Sequence, residues 1–350
     1  MSQYWTDIVK SLDPYVPGEQ PQDQQYVKLN TNENPYPPSP RVIQAIDQYN
    51  KQKLKLYPDP ESTLLRQALA QRFGVETENV FVGNGSDEVL AHSFQAFLKH
   101  SLPLLFPAIS YSFYPVYCGL YDIDYRTLPL AEDFTLNIKD YNIPNGGIIL
   151  PNPNAPSSVL LALDQIEQLC QNSSSVVIID EAYIDFGGKS AIALTRKYDN
   201  LLVIQTFSKS RSMAGLRLGY AIGHKDLIEA LVRIKNSFNS YPVDSIAQVA
   251  AVASLQDEAY FQQSCQSIIR TRDHLTDQLA QLGFNVLPSA ANFIFATHPG
   301  HPAEQLYLKL KKNGVLVRYF KKALIDQYLR ITVGTDQEIE ILISKLKQIL

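Results

Sequence analysis

The chain has 350 residues, 45% of them hydrophobic, enough to bury one large core and a smaller second one. Its formal net charge is −4 and its Lys and Arg are scattered rather than blocked, which argues against nucleic acid as a partner and for a small molecule. No apolar run nears the ~20 residues of a membrane span and no charged head with an apolar stretch opens the chain, so a soluble, cytoplasmic protein is expected.

In chain order, the first forty residues carry Pro14, Pro17, Pro21, Pro35, Pro37, Pro38 and Pro40, which block any long helix and predict an extended arm. Its stretch Leu29-Asn30-Thr31-Asn32-Glu33-Asn34-Pro35-Tyr36 holds side-chain amides that suit either turn-making or ligand contact. A helix is predicted over 41–51, then the rigid turn Tyr57-Pro58-Asp59-Pro60, then a helix to Phe73 capped by Ser62.

From Val80 the pattern becomes strand, loop, helix. Strand 80–82 leads into Gly83-Asn84-Gly85-Ser86-Asp87-Glu88 and a helix over 89–98. A dinucleotide fingerprint fails there because Glu88 stands where its last glycine belongs. A helix start with backbone N–H groups and the Ser86 hydroxyl remains, and that can bind a phosphate. Strand 102–106 and helix 111–118 follow, with Tyr111 either a core aromatic or a site residue. Strand 146–150 ends in Pro151-Asn152-Pro153-Asn154-Ala155-Pro156-Ser157-Ser158, a proline-pinned loop in which Asn154 could donate to a ligand.

Helix 163–171 leads to Val176-Val177-Ile178-Ile179-Asp180. Four apolar residues in a row predict a central parallel strand, with Asp180 an acid at the mouth of the core that needs a cation or caps a helix. Gly188-Lys189-Ser190 and Asp185-Phe186-Gly187 imitate nucleotide motifs without the residues those motifs require.

Between the apolar runs 201–204 and 218–222 lies Thr206-Phe207-Ser208-Lys209-Ser210-Arg211-Ser212-Met213-Ala214-Gly215-Leu216-Arg217. A lysine held between buried strands is partly desolvated, which favours its neutral, nucleophilic amine. Arg217, Thr206 and Ser208 could hold a phosphate beside it, and an amine next to a phosphate site suggests pyridoxal phosphate.

Helix 225–236, a break at Tyr241-Pro242, a helical stretch 245–282 interrupted near Gln256, and a smaller α+β unit complete the chain. That unit is read as strands 285–287 and 292–296, helix 303–313, strands 315–318 and 329–333, and a helix from Asp336. Arg318 and Arg330 face an interdomain cleft or make surface ion pairs. Cys118, Cys170 and Cys265 are odd in number and far apart, which suits buried thiols. His298 and His301 sit in a Pro-Gly turn without a ligand set, so no metal is assigned.

These residues together resemble the fold-type I, pyridoxal-phosphate-dependent class-II aminotransferases, and among them the histidinol-phosphate aminotransferase family. The resemblance spans nearly the whole chain and is carried by the 30–37 arm motif, Tyr57-Pro58-Asp59-Pro60, the 83–88 turn, Asp180-Glu181-Ala182-Tyr183, the run from Ser208-Lys209 to Gly219, and Leu329-Arg330-Ile331-Thr332-Val333-Gly334-Thr335. It departs at Asn154-Ala155-Pro156-Ser157-Ser158, where relatives commonly read Asn-Asn-Pro-Thr-Gly, which leaves Asn152 and Asn154 as alternatives for the cofactor contact.

The resemblance implies an α/β fold with a large doubly wound α/β/α domain on a mostly parallel sheet (41–282), a small α+β domain (283–350) and an N-terminal arm (1–40) packing with it. It implies that Lys209 carries the cofactor, Asp180 pairs with the pyridine nitrogen, and Tyr183 and Asn154 meet the phenolic oxygen. Gly85, Ser86, Asp87, Thr206, Ser208 and Arg217 would bind the phosphate, and Tyr111 would stack on the ring. Tyr57 would reach the cofactor of a second subunit, hence a homodimer with active sites at the subunit interface. Tyr15, Asn32, Glu33, Asn34, Arg318 and Arg330 would receive the substrates. The implied reaction exchanges an amino group between L-histidinol phosphate and 2-oxoglutarate or glutamate, in histidine biosynthesis. An aromatic amino acid aminotransferase or a threonine-phosphate decarboxylase shares the framework; a non-catalytic cofactor-binding module is disfavoured by the lack of a basic DNA-binding segment.

Overall fold

The computed structural model describes residues 2–350. The proline-rich start forms only a short helix, α1 (Asp7–Ser11), with no buried residue, and a two-residue strand, β1 (Val27–Lys28). Helices α2 (Pro40–Gln48) and α3 (Thr63–Phe73) precede the alternating region. There the chain runs β2 (Val80–Gly83), α4 (Gly85–Phe97), β3 (Leu104–Pro107), α5 (Tyr114–Tyr121), β4 (Tyr125–Leu128), β5 (Gly147–Pro151), α6 (Leu163–Asn172), β6 (Val177–Asp180), β7 (Leu201–Thr206), β8 (Gly219–Gly223) and α7 (Lys225–Phe238).

The seven strands form one sheet in the order β2-β8-β7-β6-β5-β3-β4, in which β8 alone runs antiparallel to its neighbours. The apolar runs are central because both faces of the sheet are covered. Val177, Ile179, Leu201 and Val203 enter a core with α3, α6 and α8 (Ser245–Leu255), while Ile178, Leu202 and Ile204 enter a second core with α4, α5 and α7. Each such side chain contributes about 1.5–3 kcal/mol of transfer free energy.

Helix α9 (Glu258–Gln281) leads to the smaller unit: β9 (Asn285–Val286), β10 (Phe293–Thr297), α10 (Ala303–Lys312), β11 (Val315–Leu316), β12 (Arg318–Tyr319), β13 (Leu329–Thr332) and α11 (Asp336–Ile349). Strands β12-β13-β10-β9 make an antiparallel sheet. Leu275 and Leu279 of α9, Leu306 and Leu310 of α10, and Ile339 and Leu342 of α11 share its core with Leu29 of the arm. The arm is fixed there because β1 pairs in parallel with β11.

Four local expectations change. The predicted strand 315–318 divides at Val317, since its first half pairs with the arm and its second with β13. Strand β4 escapes sequence reading because it is an edge strand with Tyr125, Arg126 and Thr127 exposed, so it lacks an apolar pattern. Helix α5 starts at Tyr114 rather than Tyr111, with Pro115 in its first turn, and leaves Tyr111 in the preceding turn. Ser62 does not cap α3: its φ is +47° and its hydroxyl makes no cap, while the Asp59 carboxylate accepts from Thr63 N at 2.7 Å and Glu61 N at 3.0 Å.

Candidate active site

The C-terminal ends of β2, β3, β5, β6 and β7 meet the arm and the smaller sheet around a cavity of about 310 Å3, a size typical of small-molecule sites. It sits where open α/β sheets place ligands, because loops leaving the same edge converge while the strands behind them stay rigid.

The loop after β7 is closed by Phe207 N donating to Leu218 O and Met213 N donating to Phe207 O, both at 3.0 Å. This holds Lys209 in the cavity wall, its Nζ donating to the Thr31 carbonyl at 3.4 Å and lying 5.7 Å from the centroid of the Tyr183 ring. No other hydrogen bond of that amine is found among the described residues. The Lys209 carbonyl accepts from Asn34 Nδ2 at 3.1 Å, so Asn34 braces the loop from outside the cavity instead of lining it.

Asp180 ends β6 and is 6% exposed. Tyr114 Oη donates to its Oδ2 at 3.0 Å and Ala182 N to its Oδ1 at 3.3 Å. Burial pushes the carboxyl up to about 6 against the pull of those two bonds, because no cation is paired with it. A protonated ring nitrogen would supply that charge.

Helix α4 points its N-terminus at the same cavity. Gly85, with φ +79°, lets the turn pass under the Arg217 guanidinium, and a Cβ on Gly219 would strike the Ser86 backbone. These two glycines bring the exposed N–H groups of α4, the Ser86 and Ser208 hydroxyls and Arg217 to one spot, a suitable cup for a phosphate. Arg217 donates to Asp87 Oδ2 at 2.9 Å and Ser208 Oγ at 3.4 Å, and Tyr111 Oη donates to Asp87 Oδ1 at 3.1 Å. Burial first, then Asp87, holds the Tyr111 hydroxyl protonated far above its usual range. Thr206 lines the cavity, but its hydroxyl donates to Leu218 O and accepts from Ser208 N, so it shapes the loop.

Asn154 lies behind the wall. Its Nδ2 donates to Ile109 O at 3.1 Å and Ser157 Oγ at 2.8 Å, and its Oδ1 is buried without a partner. Asn152 is fully engaged with the backbone of Leu161 at 3.2 and 2.8 Å. Asn154 is therefore the amide with an atom to spare, although it must turn over to donate forward. The buried acid without a cation, the orphaned amide oxygen and the helix-end cup all fit pyridoxal phosphate.

The opposite end is cationic. Arg318 and Arg330 face each other in register on β12 and β13, a like-charge pair that is unfavourable without an anion between. Arg330 donates to Asn30 O at 3.0 Å while its Nε stays buried and unpartnered, and burial presses its guanidinium below the usual arginine range. Arg318 reaches the Val16 and Pro17 carbonyls at 3.4 Å. Tyr15 stacks on Phe113 at 4.8 Å, and Asn32 Nδ2 donates to Tyr183 Oη at 3.0 Å. Glu33 lines the cavity but is paired with Lys28 at 2.7 Å. Tyr57 is outside this cavity, 82% exposed and stacked on Tyr241 at 4.6 Å.

Phe320 and Lys322 line the cavity without having been singled out from sequence. The signal was present in Arg318-Tyr319-Phe320-Lys321-Lys322, whose alternation continues the face that carries Arg318.

This sheet, with a lysine and an unpaired acid at adjacent strand ends beside a phosphate cup, defines a pyridoxal-phosphate-dependent transferase of fold type I. The family model for aminotransferase class I and II matches residues 24–346, and the chain belongs to that family, on its histidinol-phosphate aminotransferase branch. It is 60% identical to histidinol-phosphate aminotransferase 1 of Hydrogenovibrio crunogenus over 97% of this chain and 95% of that one. To histidinol-phosphate aminotransferase 2 of Dechloromonas aromatica it is 59% identical over 100% and 99% of the two chains. Among solved structures, the histidinol-phosphate aminotransferase from Sinorhizobium meliloti in complex with pyridoxal-5'-phosphate has a TM-score of 0.89 over 100% of this chain and 99% of that one, at 24% identity, a likeness of fold.

Proposed function

We infer that the chain exchanges the amino group between L-histidinol phosphate and 2-oxoglutarate, as a pyridoxal-phosphate-dependent transaminase of histidine biosynthesis. The observation that carries the substrate class is the facing pair Arg318 and Arg330, charged and without an acid between them. L-Histidinol phosphate carries a phosphorylated hydroxymethyl group on its amine-bearing carbon, on the bond where glutamate carries its α-carboxylate directly. A guanidinium fork accepts either anion, so one end of the cavity serves both substrates in turn.

Pyridoxal phosphate, when bound, supplies an aldehyde that condenses with amines and a ring that withdraws electrons. Asp180 holds the ring proton, the form in which withdrawal is strongest. Lys209 Nζ would hold the cofactor in the resting enzyme and, as a free amine, would be the base that moves the proton of the substrate's amine-bearing carbon. Tyr183, steadied by Asn32, and Asn154 orient the ring through its phenolic oxygen. Ser86, Ser208 and Arg217 anchor the phosphate, Asp87 fixes Arg217, and Tyr111 covers the ring face. Tyr15 and the arm close over it, with Glu33 at the solvent-facing edge.

The active unit is a homodimer. Tyr57 lies outside its own cavity, exposed like Leu54 and Leu56 just before it in the chain, and serves the partner's site. No helix among the described residues is long and apolar enough to cross a membrane. We further propose a cytoplasmic location, as suits a biosynthetic transaminase. The test is a panel of amino donors with 2-oxoglutarate, in which L-histidinol phosphate should give the highest kcat/KM. Much faster turnover of phenylalanine or tyrosine, or carbon dioxide released from threonine phosphate, would overturn the substrate.

A further inference from the structure

We propose that Lys322 is a third cation at the anionic-substrate end of the cavity and sets its preference for a phosphate over a carboxylate. The proposal deepens the function above and takes the role of the two arginines from it.

Lys322 follows Phe320 by two residues, and the Phe320 ring lies under both guanidinium groups, 5.3 Å from Arg318 and 5.5 Å from Arg330. All four side chains line the one cavity. Lys322 is an exposed residue of the cavity wall, and its Nζ donates to the Ala108 carbonyl, just beyond β3, at 3.2 Å. Partial burial pulls this ammonium below the ordinary lysine range, so it has already lost part of its hydration. The carbonyl uses one of three N–H donors and no carboxylate pairs with it among the described residues, which leaves two donors for a ligand.

The chemistry of the two anions then separates them. A carboxylate has one charge and two oxygens, and a single guanidinium fork satisfies it. A phosphate monoester has close to two charges and three terminal oxygens, each with more than one acceptor site, so after the arginine forks are engaged acceptor sites remain for a further donor. A lysine suits that place because an ammonium is a compact charge without the planar geometry a fork demands.

The test compares wild-type, Lys322→Gln and Lys322→Arg holoenzymes in the separate half-reactions with L-histidinol phosphate and with glutamate. The KM for the phosphate donor relative to that for glutamate should rise about tenfold in Lys322→Gln, the low end for a charge-assisted hydrogen bond at a partly solvated rim, and return toward wild type in Lys322→Arg. A ratio that stays constant, whether both constants move together or neither moves, overturns the proposal and leaves Lys322 as a strap to Ala108. The same ratio is read with propyl phosphate and butyrate as competitive inhibitors of the glutamate half-reaction. If the wild type ignored L-histidinol phosphate, the proposed substrate would fall, and the inhibitor pair would still decide the role of Lys322.

Discussion

At the sheet end of the cavity the binding groups are held by one another: Arg217 meets Asp87, Asp87 meets Tyr111, and Asp180 meets Tyr114. At the end built on β12 and β13, Arg318 and Arg330 face each other with backbone carbonyls as their only hydrogen-bond partners among the described residues. The first arrangement is organised before a ligand arrives, as suits a group that stays; the second stores unfavourable charge that an exchanging anion relieves. Chemistry should therefore be lost at one end, and affinity, with little cost in stability, at the other.

The largest effect should come from Lys209→Ala, which takes away the proposed nucleophile and base together. Transamination should fall about 10⁴-fold or more, and the borohydride-fixable adduct should disappear. Recovery of that adduct on another lysine would break the assignment. Asp180→Asn keeps the shape but loses the charge, and kcat should drop about 10²–10³-fold with cofactor still bound.

The same carboxyl gives the cofactor-free protein a pH dependence. Its pKa stands at about 6 in the fold against an ordinary 3.8, so between those values the folded state holds more protons than the unfolded one. Stability should fall as pH rises through that window, by roughly 3 kcal/mol on the scale of 1.36 kcal/mol per unit. Glu181, which burial pushes up to about 7, extends the decline to higher pH. Denaturant titrations of wild type and Asp180→Asn across pH 4 to 7 should show the slope reduced in the variant. Adding pyridoxal phosphate to the wild type should reduce it as well, since a cation beside Asp180 restores its acidity.

At the other end, Arg318→Ala should weaken L-histidinol phosphate by ~2–3 kcal/mol while raising rather than lowering the melting temperature of the ligand-free protein, because a like-charge pair is relieved. A drop in melting temperature comparable to that of an ordinary core substitution would erase the contrast between the two ends. As a control remote from both, Asp59→Ala should cost about 1 kcal/mol through loss of the α3 cap, and Ser62→Ala next to nothing.

Much of the sheet end was legible in the sequence. Four consecutive apolar residues before Asp180 and the apolar runs flanking Lys209 leave few folds other than buried strands with polar loops at one edge. The anion end was legible only as residue types. That Arg318 opposes Arg330 depends on strand register, and that Lys322 lines the cavity depends on the reach to Ala108, neither of which leaves a local pattern. Asn154 was found as a candidate, but its engagement with Ile109 and Ser157 is tertiary. The cap of α3 was misplaced because Ser62 and Asp59 both precede the helix, and only the positive φ of Ser62 decides between them.

The segment from Leu29 to Asn34 has the look of a loop, and loops ordinarily accept insertions. This one is tethered twice: Thr332 N donates to Leu29 O at 3.0 Å, and Asn34 Nδ2 donates to the Lys209 carbonyl. Between the tethers, Asn32 bonds Thr332, and its carbonyl accepts from Asn292. One residue more or fewer changes the span by up to ~3.5 Å, more than any of these bonds can absorb. The length of this stretch is consequently as constrained as the identity of a catalytic side chain, and a single-codon deletion within it should cripple the enzyme even where every residue around the cofactor is retained.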